Sequence, residues 1–252
     1  MKGKLKTMKN ELATIILAAG KGTRMNSEIP KVLHEVDGKP MLVHVIEKSK
    51  IIGSKKIISV LGYKHEMVKN VISEQNIDFT LQLKQLGTAH AVMQCTDSLE
   101  DFHGNILILY GDVPMITANT LSNLITFHEK ENSSCTILTT DLPDPMGYGR
   151  IIRNDDHSLL KIIEEKDATD EERKVKEVNS GFYVFQSNVL FRLLPKVTND
   201  NKQKEYYLPD VINLIIEENG KVAIDKITDY VEIQGVNNLE QLHDVNALYE
   251  KT

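Results

Sequence analysis

The sequence predicts an α/β fold: a mixed, mostly parallel sheet with helices on both faces and a smaller second lobe. Three observations carry this. Ala13–Ala19 (ATIILAA) reads as a continuous apolar run and Asn105–Tyr110 (NILILY) as a second fully buried strand, the mark of strands covered on both faces. Strand and helix patterns alternate from residue 13 to residue 140, as in consecutive βαβ units. After Asp141 a strand pair around a turn interrupts that alternation.

The first strand ends at Gly20. Lys39-Pro40 opens a helix, with Pro at a first helical position where its missing N–H costs little. That helix runs over Met41–Lys50 and stops near Gly53, a residue suited to the position after a helix. Lys56–Leu61 reads as strand, His65–Ser73 as helix, Ile77–Leu83 as strand and Thr88–Leu99 as helix. Asn105–Tyr110 closes on Gly111-Asp112. Thr117 or Asn119 can cap a helix over Leu121–Lys130, and Ser134–Thr140 is a strand. Beyond Asp141, Arg150–Arg153 and Leu160–Ile163 flank the turn signal Asn154-Asp155-Asp156, and Val178–Phe185 is a further strand. Glu205–Glu218 is an amphipathic helix ending at Gly220; Lys221–Ile227 and Val231–Ile233 follow, and Leu239–Lys251 closes as a helix with one polar face.

No linker composition or repeat divides the chain. Residues 11–252 read as one domain, with lobes over 11–140 and 141–236 and a closing helix over 237–252. Met1–Asn10 is basic but lacks a hydrophobic stretch, so it reads as a flexible tail and not a secretory signal.

Charge narrows the choice of partners. Thirty basic against 36 acidic residues leave a net charge of −6, which argues against a dedicated nucleic-acid binder. No apolar run approaches the ~20 residues of a membrane span. Cys95 and Cys135 cannot make a disulfide framework and fit a reducing compartment, with the cytoplasm as the default. The chain has no CxxC or HxxxH spacing, which argues against zinc.

Open α/β sheets bind ligands beyond the carboxyl ends of their strands, here at Gly20 and Gly111-Asp112. The first of these loops reads Leu17-Ala-Ala-Gly-Lys-Gly-Thr-Arg-Met25, followed by Pro30-Lys31. Small residues let backbone N–H groups approach a ligand, and such nests hold phosphate. Arg24 and Lys31 add positive charge. Met25 stands where the GxGxxG fingerprint needs glycine, and Gly22-Thr23 does not spell a Walker loop. A solvated turn is the plain alternative. The glycines, Ala18-Ala19 and the two cations coincide at one strand end, and that favours phosphate.

This loop resembles that of the sugar-phosphate nucleotidyltransferases. The likeness is greatest to N-acetylglucosamine-1-phosphate uridyltransferases, the first half of a bacterial bifunctional uridyltransferase/acetyltransferase family. It continues through Leu81-Gln-Leu-Lys-Gln-Leu-Gly-Thr-Ala-His-Ala91, Leu109-Tyr-Gly-Asp-Val-Pro114, Gly147-Tyr-Gly-Arg-Ile151 and Ile163-Glu-Glu-Lys-Asp-Ala168. Glu177-Val-Asn-Ser-Gly181, Lys204-Glu-Tyr-Tyr-Leu-Pro-Asp210 and Gly235-Val-Asn-Asn238 complete it, in the family's order. Ser180 stands where Thr is more usual.

The resemblance implies a Rossmann-like fold of the nucleotide-diphospho-sugar transferase type, with the sugar in the second lobe. It implies transfer of UMP from UTP to N-acetylglucosamine 1-phosphate, giving pyrophosphate and the peptidoglycan precursor UDP-N-acetylglucosamine. Leu17, Ala18, Ala19, Gly20 and Gly22 would face the nucleotide, with Gln82, Gly87 and Thr88 at the uracil and Tyr110 and Gly111 nearby. Gly149, Glu164 and Asn179 would meet the acetamido sugar. Asp112 and Asn237 would hold Mg²⁺, Arg24 the leaving phosphates, and Lys31 the charge growing at the α-phosphorus. The acetyltransferase β-helix and its trimer contacts have no counterpart before Thr252, so the oligomeric state stays open. A thymidylyl- or cytidylyltransferase acting on another sugar phosphate, or a non-catalytic nucleotide-binding homologue, remains as an alternative. His90, on a helix near the active loop but with no partner pattern, is given no role in chemistry, and the run Glu171–Glu177 reads as a solvated loop or helix face.

Overall fold

The computed structural model describes residues 10–249. All but Asn10 of the expected tail, and the last residues of the closing helix, lie outside the described residues. The chain opens with β1 (Glu11–Ala18), a short pair β2 (Glu35–Val36) and β3 (Lys39–Pro40), and α1 (Met41–Ile51). Then come β4 (Lys56–Leu61), α2 (His65–Ile72), β5 (Asp78–Leu81), α3 (Thr88–Met93), β6 (Gly104–Tyr110), α4 (Ala118–Glu131) and β7 (Cys135–Asp141). The second part holds β8 (Arg150–Arg153), β9 (Leu159–Ile163), α5 (Asp170–Arg173), β10 (Glu177–Gln186) and α6 (Ser187–Leu193). α7 (Pro209–Glu217), β11 (Val222–Lys226) and α8 (Leu239–Tyr249) complete it.

One sheet runs β11-β7-β10-β6-β1-β4-β5. β1 lies parallel between β4 and β6, β5 continues parallel on β4, and β11 is parallel to β7. β10 is antiparallel to both β6 and β7, and the β8–β9 hairpin leans off it at Val178. The sheet is therefore mixed and mostly parallel, as the sequence predicts.

The apolar runs follow from this layering. Along β1, Ala13, Ile15 and Leu17 pack on one face with α3, α6 and α7, while Leu12, Ile16 and Ala18 pack on the other with α1, α2 and α4. Successive side chains point to opposite faces, so a strand covered on both is apolar at nearly every position; the exception in β1, Thr14, pairs its hydroxyl with that of Ser54 at 2.7 Å. Each large side chain buried this way contributes roughly 1.5–3 kcal/mol.

Several boundaries differ from expectation. Pro40 is not the first helical residue: it belongs to the short β2–β3 pair, and α1 begins at Met41. Residues 205–208 are not helical. Tyr206 instead bonds to the backbone of Leu86 and Ala89, and the helix starts at Pro209, a first-turn position where the missing N–H costs little. The helix expected over Thr88–Leu99 stops at Met93, where the amides of Cys95 and Thr96 fall back on i−3 carbonyls. Val231–Ile233 lies in a 3₁₀ turn, capped by the Asp229 carboxylate accepting from the Val231 amide at 3.1 Å.

Candidate active site

Because β1 and β6 are parallel neighbours, their carboxyl ends open side by side, and the glycine loop comes to face Asp112. Between them stands Lys31, on the short turn Lys31–Leu33. Its Nζ donates to Asp112 Oδ2 and, at 3.1 Å, to Asn237 Oδ1. Arg24 Nη2 donates to the same Asn237 oxygen at 2.8 Å. Asn237 Nδ2 is taken by the Gly235 carbonyl at 3.1 Å, which turns the amide oxygen towards the cations. The Val236 amide donates to the Asp112 backbone oxygen at 2.9 Å, tying this late segment to the end of β6.

Two cavities meet at this cluster. The first, of about 360 Å³, is walled by Leu17, Ala18, Ala19 and Gly20 on one side and by Gln82, Gly87 and Thr88 on the other. The second, of about 300 Å³, is lined by Gly149, Glu164, Asn179 and Arg24. Tyr110, Asp112 and Asn237 border both, and Lys31 borders the first. Burial pushes the Tyr110 phenol far above its usual pKa, so it stays neutral. Gly22 and Gly111 line neither cavity. Gly22 has φ +60, and a Cβ there would sit 2.6 Å from Lys31 Cβ, so its bare face seats the lysine stem. Gly111 turns its bare face onto Leu42, Ala18 and Val32.

In the first cavity Gln82 lies just past β5 and is 3% exposed. Its backbone amide bonds to Leu61 at 2.8 Å, and its Nε2 donates to the Gly87 carbonyl at 2.9 Å. Gly87 precedes α3 with φ +112; a Cβ there would stand 2.4 Å from the Tyr206 carbonyl oxygen. That face is closed by protein, so the glycine is required by the Tyr206 backbone and not by an approaching ligand. Thr88 is the first residue of α3, and its hydroxyl accepts from the Leu208 amide at 2.9 Å. His90, which the sequence left without a partner, lies with Nδ1 3.0 Å from Gln82 Nε2. Glu205 also borders this cavity. Both stand inside blocks that carry the resemblance, but a one-dimensional reading misses their part in the site, which shows only in side-chain contact.

In the second cavity the Asn179 amide is already oriented: Nδ2 donates to the Tyr183 hydroxyl at 2.6 Å, and Oδ1 accepts from the Gly181 amide at 3.1 Å. Burial, reinforced by the nearby Asp210, Asp167 and Glu205, pushes the Glu164 carboxyl up to about 7. Burial likewise raises Asp210 to about 6. Glu165, the next residue, pairs at 2.6 Å with Arg150, which is 2% exposed. The run Glu171–Glu177 is not uniformly solvated. Glu177 is buried, accepting from Arg153 and from the Thr139 hydroxyl at 2.8 Å, and Glu172 pairs with Lys161.

The doubly covered sheet, the small-residue loop at its switch and the Lys31–Asp112 pair define a nucleotide-handling α/β protein, and the sequence comparison agrees. The profile of the family described as "Nucleotidyl transferase" matches residues 13–248, and the chain belongs to that family. Among curated proteins it is 48% identical over 241 residues to "Bifunctional protein GlmU" of Alkaliphilus metalliredigens (96% of this chain, 52% of that protein). It is 46% identical over 224 residues to the protein of the same name in Staphylococcus carnosus (89% of this chain, 49% of that protein). The chain thus spans about half the length of the curated relatives it matches. A solved structure described as a putative glucose-1-phosphate thymidylyltransferase from Bacillus anthracis, in complex with a sucrose, superposes with a TM-score of 0.75 over 96% of both chains. At 20% identity that likeness concerns the fold. Among the described residues no helix is long and apolar enough to cross a membrane.

Proposed function

We propose that the chain transfers UMP from UTP to N-acetylglucosamine 1-phosphate, releasing pyrophosphate. The observation that carries this is the pair of cavities meeting at Asp112, Asn237 and Lys31: one for the nucleotide, one for the sugar, with the charged cluster where their phosphates would meet. The nucleophile is a phosphate oxygen of the sugar phosphate. Its second pKa is about 6, so it is largely dianionic at neutral pH and needs no general base. Catalysis reduces to placing two anions in line and neutralising charge.

A divalent cation fits Asp112 and Asn237. Their side-chain oxygens already converge on one cation, the Lys31 ammonium, and two hard oxygens suit Mg²⁺ when substrates and water supply the rest. Bound there, Mg²⁺ would neutralise charge shared by the two substrates. Lys31 would balance charge growing at the α-phosphorus. Arg24 and the loop N–H groups from Gly20 onward would hold the phosphates that leave. Gln82, Gly87 and Thr88 would read the base, and Glu164, Asn179 and the Gly149 backbone would meet the sugar. Two buried free thiols fit a reducing, cytoplasmic setting.

Pyrophosphate release with Mg²⁺, crossing four NTPs against GlcNAc-1-phosphate, GalNAc-1-phosphate and glucose-1-phosphate, tests the reading. Release confined to UTP with GlcNAc-1-phosphate is expected. Release with another pair overturns the roles of Gln82 or Glu164, and none from folded protein overturns the reaction.

A further inference from the structure

We propose that His90 sets the direction of the Gln82 amide, and so decides which hydrogen-bonding group the nucleotide cavity offers to a base. The proposal rests on the reading of that cavity given above. Gln82 is almost wholly buried, and both hydrogens of its amide nitrogen are spoken for: one meets the Gly87 carbonyl at 2.9 Å, the other His90 Nδ1 at 3.0 Å. A backbone carbonyl can only accept, so it is the nitrogen that faces Gly87. His90 Nδ1, on the same nitrogen, must then be the unprotonated acceptor of a neutral imidazole. Burial supports this by holding the His90 pKa below its ordinary value. The ring is kept in place by α3 and by Tyr206, whose ring centroid lies 6.3 Å away.

The consequence lies on the other side of the amide. Oε1 has no partner among the described residues and belongs to a side chain lining the first cavity. The site therefore presents an acceptor. An acceptor pairs with the ring N–H of a uracil-type base and meets a lone pair at the corresponding nitrogen of cytosine. Without the Nδ1 acceptor one amide hydrogen loses its partner, the amide can turn, and the discrimination weakens. His90 is a positioning residue: it touches Gln82 and not the base.

The experiment measures kcat and KM for UTP and CTP with the unaltered chain, His90→Phe, His90→Asn and Gln82→Ala. Phe keeps a ring without an acceptor, and Asn restores an acceptor near the position of Nδ1. We expect His90→Phe to lower the UTP-over-CTP ratio of kcat/KM about tenfold, through KM, as loss of one buried hydrogen bond would. His90→Asn is expected to recover that ratio to within about threefold. If His90→Phe keeps the ratio while Gln82→Ala loses it, His90 has no such role and the base-reading cavity stands. If Gln82→Ala keeps it too, or the unaltered chain prefers neither nucleotide, the reading of the cavity falls and this proposal with it. An equal loss of kcat with both nucleotides, not recovered by Asn, shows a purely structural residue and also overturns it.

Discussion

Lys31 is held by geometry that a single methyl group would disturb. Gly22 has a left-handed backbone and lies against the lysine stem, so Gly22→Ala both strains φ and pushes Lys31 off Asp112. We expect kcat to fall as it does in Lys31→Ala and Asp112→Asn, for which losses of about 100-fold or more are expected from a group that stabilises developing charge. Steady-state assays on protein with an unaltered circular dichroism spectrum check all three, and near-normal turnover in any of them refutes its role. Glu164 gives a prediction in pH. Its carboxyl titrates near 7 when folded against an ordinary value of 4.5. The folded chain therefore keeps a proton that the unfolded chain has released, and stability falls as pH rises from 4.5 to 7. Glu164→Gln removes its share of that slope, leaving the smaller share of Asp210, and is expected to be more stable than the unaltered chain at pH 8, by on the order of 2 kcal/mol. Urea titrations across that range measure the difference; parallel curves for the two proteins would refute it.

The same contrast between local pattern and long-range contact divides what was legible at the level of the elements. The strands were, because β1, β4 and β6 are buried on both faces and spell it in all but a few residues, such as Thr14, Ser59 and Asn105. The glycine loop was as well, since its small residues and cations are contiguous. Helix ends set by tertiary contact were not: nothing near residue 205 announces that the Tyr206 backbone is held by Leu86 and Ala89 across the cavity. The acidic residues of the second lobe were misread for the same reason, as their partners sit on other elements. Arg150 on β8 is the largest buried side chain in that arm, and it pairs with Glu165 just beyond β9 while donating to the carbonyls of Tyr148 and Arg173. Glu165→Ala leaves a buried guanidinium without its counter-charge, which costs about 3–5 kcal/mol. Exposed pairs such as Lys174–Glu171 lie within about 1 kcal/mol of neutral. Chemical denaturation of Glu165→Ala beside Glu171→Ala separates the two, and equal effects would show that the arm does not depend on its buried pair.

Across the whole molecule, β10 decides whether the two lobes behave as one. It is buried from Glu177 to Phe185 and lies between β6, which ends at the first cavity, and β7, which carries β11. Its Asn179 borders the second cavity, while Tyr183, four residues on, pairs with Ile108 and Ile137 in the middle of the sheet. The cores on the two faces likewise draw residues from both lobes: Ile106 packs in one cluster with Phe185 and Ile212, and Leu107 in the other with Val184 and Ile233. Neither lobe can open without exposing apolar surface of the other, so unfolding should be a single cooperative transition. The two cysteines report on this without labels elsewhere. Cys95 follows α3, on the β6 side of β10, and Cys135 begins β7, on the other side, beside Phe185 and Val222; both are fully buried, and burial raises both thiol pKa values, Cys95 to about 12. In increasing urea both thiols should become reactive to a thiol reagent at one midpoint, coincident with loss of the far-ultraviolet signal. Saturating nucleotide should move both together, by about 2.7 kcal/mol at a hundred times its Kd. Two separated midpoints, or a ligand shift confined to Cys95, would mean that the two sides of β10 unfold independently and that β10 does not couple them.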